Sequence, residues 1–485
     1  MTRMKHGGDA GFSRRRMLQR AAAAGVGLPL AAASAAATAP EHAVTAAESD
    51  AQPQVARAAF TVPTPVFSLA ERNRRWAAVR ANMAKPQWNL DAIITAGSDA
   101  LGNNARYLTQ IVIQKYSQSA PELFFPRDPA RPVVAHISGA RHVEEWTRRL
   151  RGGNWLSDGK LVLKAESGSE ALAKLLAAEG YNRPGMRIGV AKLKGSRFDP
   201  EGLVSATWFE RLKSALSGVV FLPIDQFPPQ AGNDTGPIED ASMSKGPEEQ
   251  DVIRKAVSLN EQGIAAAMAA ARNGATRLAD LWWACFETMY RGAGEDVIRC
   301  SLGLDGGGNM TLGEPTDHPV RAGQICNQEI SSACQGYGSQ INHAFFVGTR
   351  ATPGYEYYHT AVELLAKVID RAVAFIQPGK TTYGDFLANN EKTMKEFGER
   401  GSGLNTHGGG LGFLSRPRQS AEDYLVVMQP GHTFDFKPAV TLDRAKTKDV
   451  GEKNRPVQVG ESILVTEKGA VRLGTRAIVP IATHG

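Results

Sequence analysis

Residues 68–230 alternate between helical and strand-like segments, and this alternation constrains the fold more than any other feature of the chain. The segment SLAERNRRWAAVRANMAK has apolar residues at helical spacing, and the apolar run LDAIITAG follows it. The same order returns with ALAKLLAAEGYN before MRIGVAKL, and again within WFERLKSALSGVVFLPI. Helices that alternate with apolar strands pack on the faces of one sheet. The sequence therefore predicts a three-layer α/β domain over residues 68–230.

Residues 1–47 have the pattern of an export signal and are set apart from the fold. Three arginines at residues 14–16 precede an alanine-rich apolar run at residues 21–37, which is typical of a twin-arginine signal peptide. The run is short and weakly apolar, so we expect the twin-arginine translocase to export the chain, followed by cleavage rather than stable membrane insertion. The prediction is a periplasmic or secreted protein, with residues 48–67 as an Ala/Pro-rich linker.

The charge of the chain gives no argument for a nucleic-acid partner. Its formal net charge is +7, but residues 1–46 alone contain six Lys/Arg and two Asp/Glu. Subtracting that +4 from +7 leaves about +3 for the mature chain. Proteins that bind nucleic acid usually concentrate a much larger positive charge on one face. We therefore expect a small-molecule or short-peptide ligand, and no nucleic acid.

The cysteines show no metal-binding pattern. None of the four lies in a CxxC or Cys/His spacing, and all are in the second half of the chain. An exported location permits one disulfide, whereas four buried thiols suit a protein that folds before export. Both alternatives stay open for Cys285, Cys300, Cys326 and Cys334.

A series of motifs follows in one order through residues 241–485. A helical segment places Lys245, Glu249 and Ile253 at four-residue intervals, and the stretch GQICNQEISSACQGYGSQINHAFFVG occupies residues 323–348. The segments THGGGLG, FDFKPAV and GESILVTEKG come next. This series resembles the creatinase, aminopeptidase P and methionine aminopeptidase family, whose catalytic domain is known as the pita-bread fold.

The resemblance implies a fold of the α/β (α+β) class with two domains. A creatinase-like three-layer domain at residues 68–230 would precede a pita-bread domain at residues 241–485. The phrases LDAIITAG and MRIGVAKL are similar to the first of these domains as well. Members of this family usually dimerise through the catalytic domain, so the resemblance also implies a homodimer.

Metallopeptidases of this family hold two divalent metals with five side chains, and the resemblance carries those positions onto this chain. The first two fall on Glu329 and Gln340, eleven residues apart on paired strands. The other three fall on His407, Lys437 and Gly460. An amide, an ammonium and a glycine do not replace metal-binding carboxylates. We therefore expect no dinuclear Mn, Co or Zn centre, and no cofactor.

Two further observations support this expectation. The positions of the family's catalytic histidines fall on Leu312 and Leu414. Glu329 and Lys437 can neutralise each other, so no metal is needed to offset carboxylate repulsion. The alternative that stays open is a single transition metal held by the nearby carboxylates and imidazoles, namely Glu329, His407, His343 and Asp435.

The resemblance also suggests roles for the matched positions. His407 and Lys437 would share proton transfer, and Glu329 would be the third catalytic residue. Structural roles compete with these, because His407 can belong to a packed turn and Glu329 can form a simple ion pair with Lys437. The residues expected to bind substrate or close the pocket are Gln340, His343 and Asp435.

Three functions compete at the level of the sequence. The favoured one is a metal-independent, creatinase-like enzyme that hydrolyses a C–N bond in a small polar molecule. The second is an inactive member of the fold that binds a ligand or peptide, as the histone chaperones of this fold do. The third is an Xaa-Pro aminopeptidase or prolidase, or a lyase on the same fold. Metal dependence and turnover would separate the three.

Overall fold

The computed structural model describes residues 67–96, 104–111, 121–194, 202–224, 236–272, 274, 277–305, 315–396, 400–411, 423–442 and 456–484. The predicted signal peptide, linker residues 48–66, Leu312 and Leu414 lie outside these described residues.

One six-stranded mixed sheet organises the amino-terminal half. In chain order its strands are β1 (Ala92–Thr95), β2 (Glu122–Pro126), β3 (Val133–His136), β4 (Leu161–Lys164), β5 (Arg187–Ala191) and β6 (Val220–Pro223). Their spatial order is β4-β3-β2-β1-β5-β6. The helices of this half are α1 (Leu69–Met83), α2 (Asn104–Thr109), α3 (Ala140–Gly152), α4 (Ser169–Ala178) and α5 (Ala206–Ala215).

Alternate strand residues pack on opposite faces of this sheet. Ile93 and Phe125 share one core with residues of α1, α2 and α3. Ile94 and Phe124 share another core with residues of α4 and α5. Successive side chains of a strand point to opposite faces, so each strand supplies both cores. The predicted three-layer α/β architecture is confirmed.

An arginine on α1 ties this half of the molecule to the next. The guanidinium of Arg75 lies 5.0 Å from the ring centroid of Tyr107 and 5.7 Å from that of Tyr337. The Tyr337 hydroxyl donates a hydrogen bond of 2.5 Å to Glu249. Tyr337 immediately precedes the segment that enters the functional site. Through the contact between Arg75 and Tyr337, helix α1 therefore packs against the start of that segment. The described residues belong to one compact unit, and the proposed boundary at residues 231–240 stays a prediction.

Within the described ranges, five helices belong to the carboxy-terminal half. They are α6 (Pro237–Met243), α7 (Pro247–Arg272), α8 (Leu278–Ala293), α9 (Tyr355–Phe375) and α10 (Tyr383–Glu396). Helix α6 occupies part of the polar segment between the two predicted domains, and its first residue, Pro237, suits a helix start because its fixed φ is helical. Among the described residues, none of the helices has the length and apolar character needed to cross a membrane.

The strands that the structure describes in the carboxy-terminal half form three sheets. The largest has the order β10-β15-β14-β12, with β16 also paired to β15, and the others are β11-β8-β7 and β13-β9. In chain order these strands are β7 (Arg299–Leu304), β8 (Ile325–Ser331), β9 (Tyr337–Gly338), β10 (Asn342–His343), β11 (Phe345–Phe346), β12 (Arg400–Gly408), β13 (Gly410–Leu411), β14 (Thr433–Thr441), β15 (Val457–Thr466) and β16 (Gly469–Arg472).

The largest sheet has two chemically different faces. Phe434 and Phe436 of β14 pack in the core that contains α9 and α10. The intervening Asp435 and the following Lys437 are buried on the opposite face. One strand thus contributes to an apolar core with one set of residues and to a polar site with the other.

A tight hairpin leads from β8 into the site. Cys334 and Tyr337 bridge across the turn, and Gln335 and Gly336 between them have φ of 52° and 78°. Two successive residues of positive φ are the mark of a type I′ turn, which suits the twist of the flanking strands. The predicted hairpin is present, and it brings Gln340 back toward Glu329.

All four cysteines are free thiols and buried. The alternative of four thiols is therefore the one that this structure contains. Their burial raises the pKa of Cys326 and Cys334, so these thiols stay protonated at neutral pH.

Candidate functional site

The ammonium of Lys437 is the centre of the site. Its Nζ donates a 2.9 Å hydrogen bond to Oε1 of Glu329 and a 3.2 Å hydrogen bond to Nε2 of His407. A third, short hydrogen bond reaches Oε1 of Gln340. The Lys437 side chain is 2% exposed, so water does not compete strongly for these bonds. Four of the residues that the resemblance singled out therefore meet around one cation.

Strand pairing explains why these residues meet. His407 of β12 lies opposite Asp435 of β14, which in turn lies opposite Ser462 of β15. Lys437 follows two residues after Asp435 and so faces the same side of the sheet. Glu329 approaches from β8, in the neighbouring sheet. The cluster exists only because four distant segments converge.

Glu329 lies between two cations. Arg299, at the start of β7, places Nη2 3.1 Å from Oε2 of Glu329, while Lys437 holds Oε1. Burial alone would raise its pKa, but the charges of Lys437 and Arg299 hold the pKa of Glu329 below its ordinary value. Glu329 is therefore a carboxylate at neutral pH. Sequence reasoning missed Arg299, because no motif of the resemblance includes it.

His407 is oriented from both sides of its ring. Nδ1 lies 3.2 Å from the Gly408 carbonyl and 3.6 Å from Oδ2 of Asp435. Nε2 faces Lys437 and lies 2.9 Å from Oε1 of Gln340. Burial lowers the pKa of His407; Asp435 opposes the shift, and Lys437 adds to it. The ring is neutral at neutral pH, and its Nε2 can accept a proton.

Asp435 touches hydroxyls rather than the ammonium. Its Oδ1 accepts a 2.9 Å hydrogen bond from Ser339 and a 2.5 Å hydrogen bond from Ser462. The two hydroxyls also contact each other. Neither serine was predicted. Ser339 lies next to the matched position Gln340, and Ser462 lies two residues after the matched position Gly460. A search for polar residues on the same strand face would have found Ser462.

His343 is buried close by but is held by other partners. Its Nε2 lies 3.0 Å from the Val479 carbonyl, and its Nδ1 accepts a 3.1 Å hydrogen bond from Arg476. Burial, with help from the charge of Arg476, lowers the pKa of His343 to about 3. Both ring nitrogens are thus used away from Lys437, and the structure does not bring His343 into the cluster around the ammonium.

Gly460 leaves room for the lysine. A Cβ built on Gly460 would lie 2.8 Å from Cγ of Lys437 and 3.2 Å from Cγ of Asn342, closer than ordinary van der Waals contact. The neighbouring Glu461 turns to the other face, where Arg476 Nη1 lies 2.6 Å from its Oε1. The strand register therefore keeps the Glu461 carboxylate out of the site. The side chain of Lys437 therefore fits because residue 460 is a glycine.

The donor set does not suit a pair of divalent metals. The family's metal positions present one carboxylate, one amide and one imidazole, and all three already bond the Lys437 ammonium. A cation next to Nζ would meet like charge, and Gly460 offers no ligand. Across the described ranges of the chain, no group of three or more His, Cys, Asp or Glu side chains is arranged to hold a metal ion.

Comparison with known proteins finds similarity to a family of metallopeptidases. Residues 251–467 match the model of metallopeptidase family M24. Methionine aminopeptidase 1 of Schizosaccharomyces pombe is 26% identical over 254 residues, which span 47% of this chain and 65% of that protein. The carboxy-terminal half of the chain is therefore similar to the M24 metallopeptidases.

Solved structures show the same fold over most of the molecule. An Xaa-Pro dipeptidase from Bacillus anthracis superposes with a TM-score of 0.63 at 14% identity, covering 85% of this chain and 99% of its own. The amino-terminal domain of the FACT complex subunit SPT16 from Cicer arietinum gives 0.62 at 13% identity, covering 85% and 97%. The predicted pita-bread architecture is confirmed. Two of these similar proteins have the names of hydrolases.

Proposed function

We propose that this protein is a metal-independent hydrolase that cleaves a C–N bond, of amide or amidine type, in a small polar molecule. The observation that carries the proposal is the Lys437 ammonium, which bonds Glu329, Gln340 and His407 at the centre of the site. The ammonium supplies a positive charge and a proton donor. The neutral imidazole beside it supplies a base.

The two groups divide the proton transfers of a hydrolysis. Water oxygen attacks the carbon of the C–N group, and Nε2 of His407 takes a proton from that water. Lys437 gives a proton to the departing nitrogen, the C–N bond breaks, and an amine or ammonia leaves. The proton on His407 then crosses 3.2 Å to the neutral Nζ of Lys437, which restores the starting state. Water is the only co-reactant.

Glu329 and Gln340 support this cycle without taking a proton themselves. Glu329 forms an ion pair with the Lys437 ammonium, and the amide oxygen of Gln340 fixes the position of Nζ. The outer side of the cluster is formed by Glu329 and His407, whose side chains are 13% and 12% exposed. We therefore expect substrate to approach from their side.

The test combines metal analysis with a turnover screen. Elemental analysis of the purified mature protein should give well below one Mn, Co or Zn per chain. A panel of small amides, ureas and amidines is then screened for release of amine or ammonia, with and without a chelator. Activity that survives chelation and falls about 10²–10⁴-fold in Lys437→Met and in His407→Gln supports the proposal. Lys468→Met, at an exposed lysine, is the control and should keep full activity.

Other results would replace the proposal. Two metals per chain and loss of activity on chelation would establish a metallopeptidase of the Xaa-Pro type, the function in the names of several relatives. Thermal stabilisation by a ligand without any turnover would establish a binding protein.

We also propose that the twin-arginine signal directs the protein to the periplasm or beyond, and that the mature chains form a homodimer. The arginines at residues 14–16 before the alanine-rich run support the first point. Cell fractionation checks the location. The mass of the protein in solution checks the dimer, for which the support is the family resemblance.

A further inference from the structure

The Asp435 carboxylate is occupied on both of its oxygens. Oδ1 accepts hydrogen bonds from Ser339 at 2.9 Å and Ser462 at 2.5 Å, and Oδ2 faces Nδ1 of His407 at 3.6 Å. The side chain is 2% exposed. The two hydroxyls replace hydrogen bonds that this buried carboxylate would otherwise make to water. Little of this carboxylate is left for a substrate.

This arrangement selects one tautomer of His407. Nδ1 is surrounded by two acceptors, the Gly408 carbonyl at 3.2 Å and Oδ2 of Asp435. Nε2 lies 3.2 Å from the Lys437 ammonium, which is a donor, and 2.9 Å from Oε1 of Gln340, an acceptor that also receives a hydrogen bond from Lys437. With its proton on Nδ1, the neutral imidazole donates toward both acceptors on that side and accepts from the ammonium, whereas the other tautomer would bond Gln340 alone and place its N–H against an N–H of Lys437. The contact of 3.6 Å is longer than a hydrogen bond, as such contacts often are before substrate binds.

We infer that Asp435 is a positioning residue for His407, and that Ser339 and Ser462 are a second layer that holds Asp435. This inference rests on the proposed function, in which Nε2 of His407 is the base. It replaces the substrate-binding role that the sequence suggested for Asp435. The carboxylate keeps the proton on Nδ1, and it stabilises the imidazolium that forms when Nε2 takes a proton from water.

The serines are not nucleophiles in this arrangement. A nucleophilic hydroxyl would have to give its proton to Nε2 of His407. Both hydroxyls instead point to Oδ1 of Asp435, on the Nδ1 side of the ring. Ser339 leads into β10 and Ser462 lies within β15, so two separate segments fix one carboxylate. Their joint action is to hold Asp435 in place.

The tautomer can be read directly by long-range ¹H–¹⁵N NMR of histidine-labelled protein. His407→Gln identifies the resonances. In the wild type we expect a protonated Nδ1 and an unprotonated Nε2. Asp435→Asn should move the proton to Nε2, because the new amide can donate to Nδ1. The double variant Ser339→Ala/Ser462→Ala should give averaged shifts, and the control Ser332→Ala, whose buried hydroxyl bonds the Ala256 carbonyl instead, should match the wild type.

The outcomes separate this inference from the proposed function. A wild-type His407 with its proton on Nε2, or an Asp435→Asn spectrum equal to that of the wild type, would overturn the positioning role, whatever the enzyme does. Once a substrate is found, Asp435→Asn should lower kcat about 10²–10⁴-fold with KM nearly unchanged. A rise in KM at constant kcat would return Asp435 to substrate binding. Because the spectrum needs no turnover, failure of the hydrolysis screen leaves the positioning test intact.

Discussion

Two buried clusters of charge flank strand β15, and they differ in what surrounds each cation. Arg476 bonds Glu461 at 2.6 Å and donates 2.9 Å hydrogen bonds to the carbonyls of Asn342 and Gly460. On the other face, Nζ of Lys437 donates hydrogen bonds to three side chains: a carboxylate, an amide and an imidazole.

The difference indicates two uses of buried charge. Arg476 also donates a 3.1 Å hydrogen bond to the His343 imidazole, but a guanidinium keeps its proton in proteins, and its bonds to backbone carbonyls hold β10 against β15. An imidazole next to an ammonium can exchange a proton with it. The amide of Gln340 can form a hydrogen bond with Nζ of Lys437 in its charged or its neutral form. The Arg476 cluster therefore stabilises the framework, and the Lys437 cluster is suited to chemistry.

The largest effect is expected from Arg476→Ala. It leaves the Glu461 charge and two backbone carbonyls without their main donor, so the free energy of unfolding should fall by about 3–5 kcal/mol. Urea denaturation measures this change. The matched control is Arg254→Ala, because Arg254 pairs with Asp251 at 3.0 Å on the surface. Its loss should be within about 1 kcal/mol. Equal losses for the two variants would show that the cluster is not part of the framework.

A smaller effect is expected from Gly460→Ala. The new Cβ would press on Cγ of Lys437 at 2.8 Å, which should cost about 1–3 kcal/mol of unfolding free energy. In the double variant with Lys437→Ala the loss should be smaller than the sum of the two single losses, since the clash is gone. Gly152→Ala, where nothing lies within 4 Å of the new Cβ, is the control and should not destabilise. If the losses of unfolding free energy in the two single variants simply add in the double variant, Gly460 does not make room for Lys437.

The smallest effect concerns the pH dependence of stability. The folded-state pKa of Glu329 lies below its ordinary 4.5. Burial would raise this pKa, but the charges of Lys437 and Arg299 lower it by more. A carboxyl of this kind stabilises the fold above its unfolded pKa, and that contribution disappears as pH falls through the folded pKa. The stability difference between wild type and Glu329→Gln should therefore be largest near pH 7 and shrink below about pH 4.5.

Urea denaturation between pH 7 and pH 3 measures this dependence, with Glu467→Gln at an exposed position as control. A constant difference across that range would mean that Lys437 does not act on the Glu329 charge.

Much of the fold could be predicted because alternation along a strand is a local property. The helix and strand segments of the amino-terminal half follow from apolar spacing, and the two faces of β14 follow from Phe434, Asp435, Phe436 and Lys437 in succession. The order of the six strands could not be predicted in this way. It depends on which segments pair across gaps of many residues.

The candidate site was predictable only in part for the same reason. Matched motifs suggested Glu329, Gln340, His407 and Lys437, and these do meet. His343 was expected beside them, but Arg476 holds it elsewhere. Motif matching assigns positions without contacts, and so it also missed Arg299.

By itself the sequence determined the residue types that a site on this fold would have: a lysine and a glycine in place of acidic side chains, beside one histidine. Tertiary structure alone decided which of them touch. The pairing of β12, β14 and β15 sets Asp435 between His407 and two serines, and it turns Glu461 away from Lys437. A shift of one residue would reverse both results, because successive side chains of a strand face opposite sides.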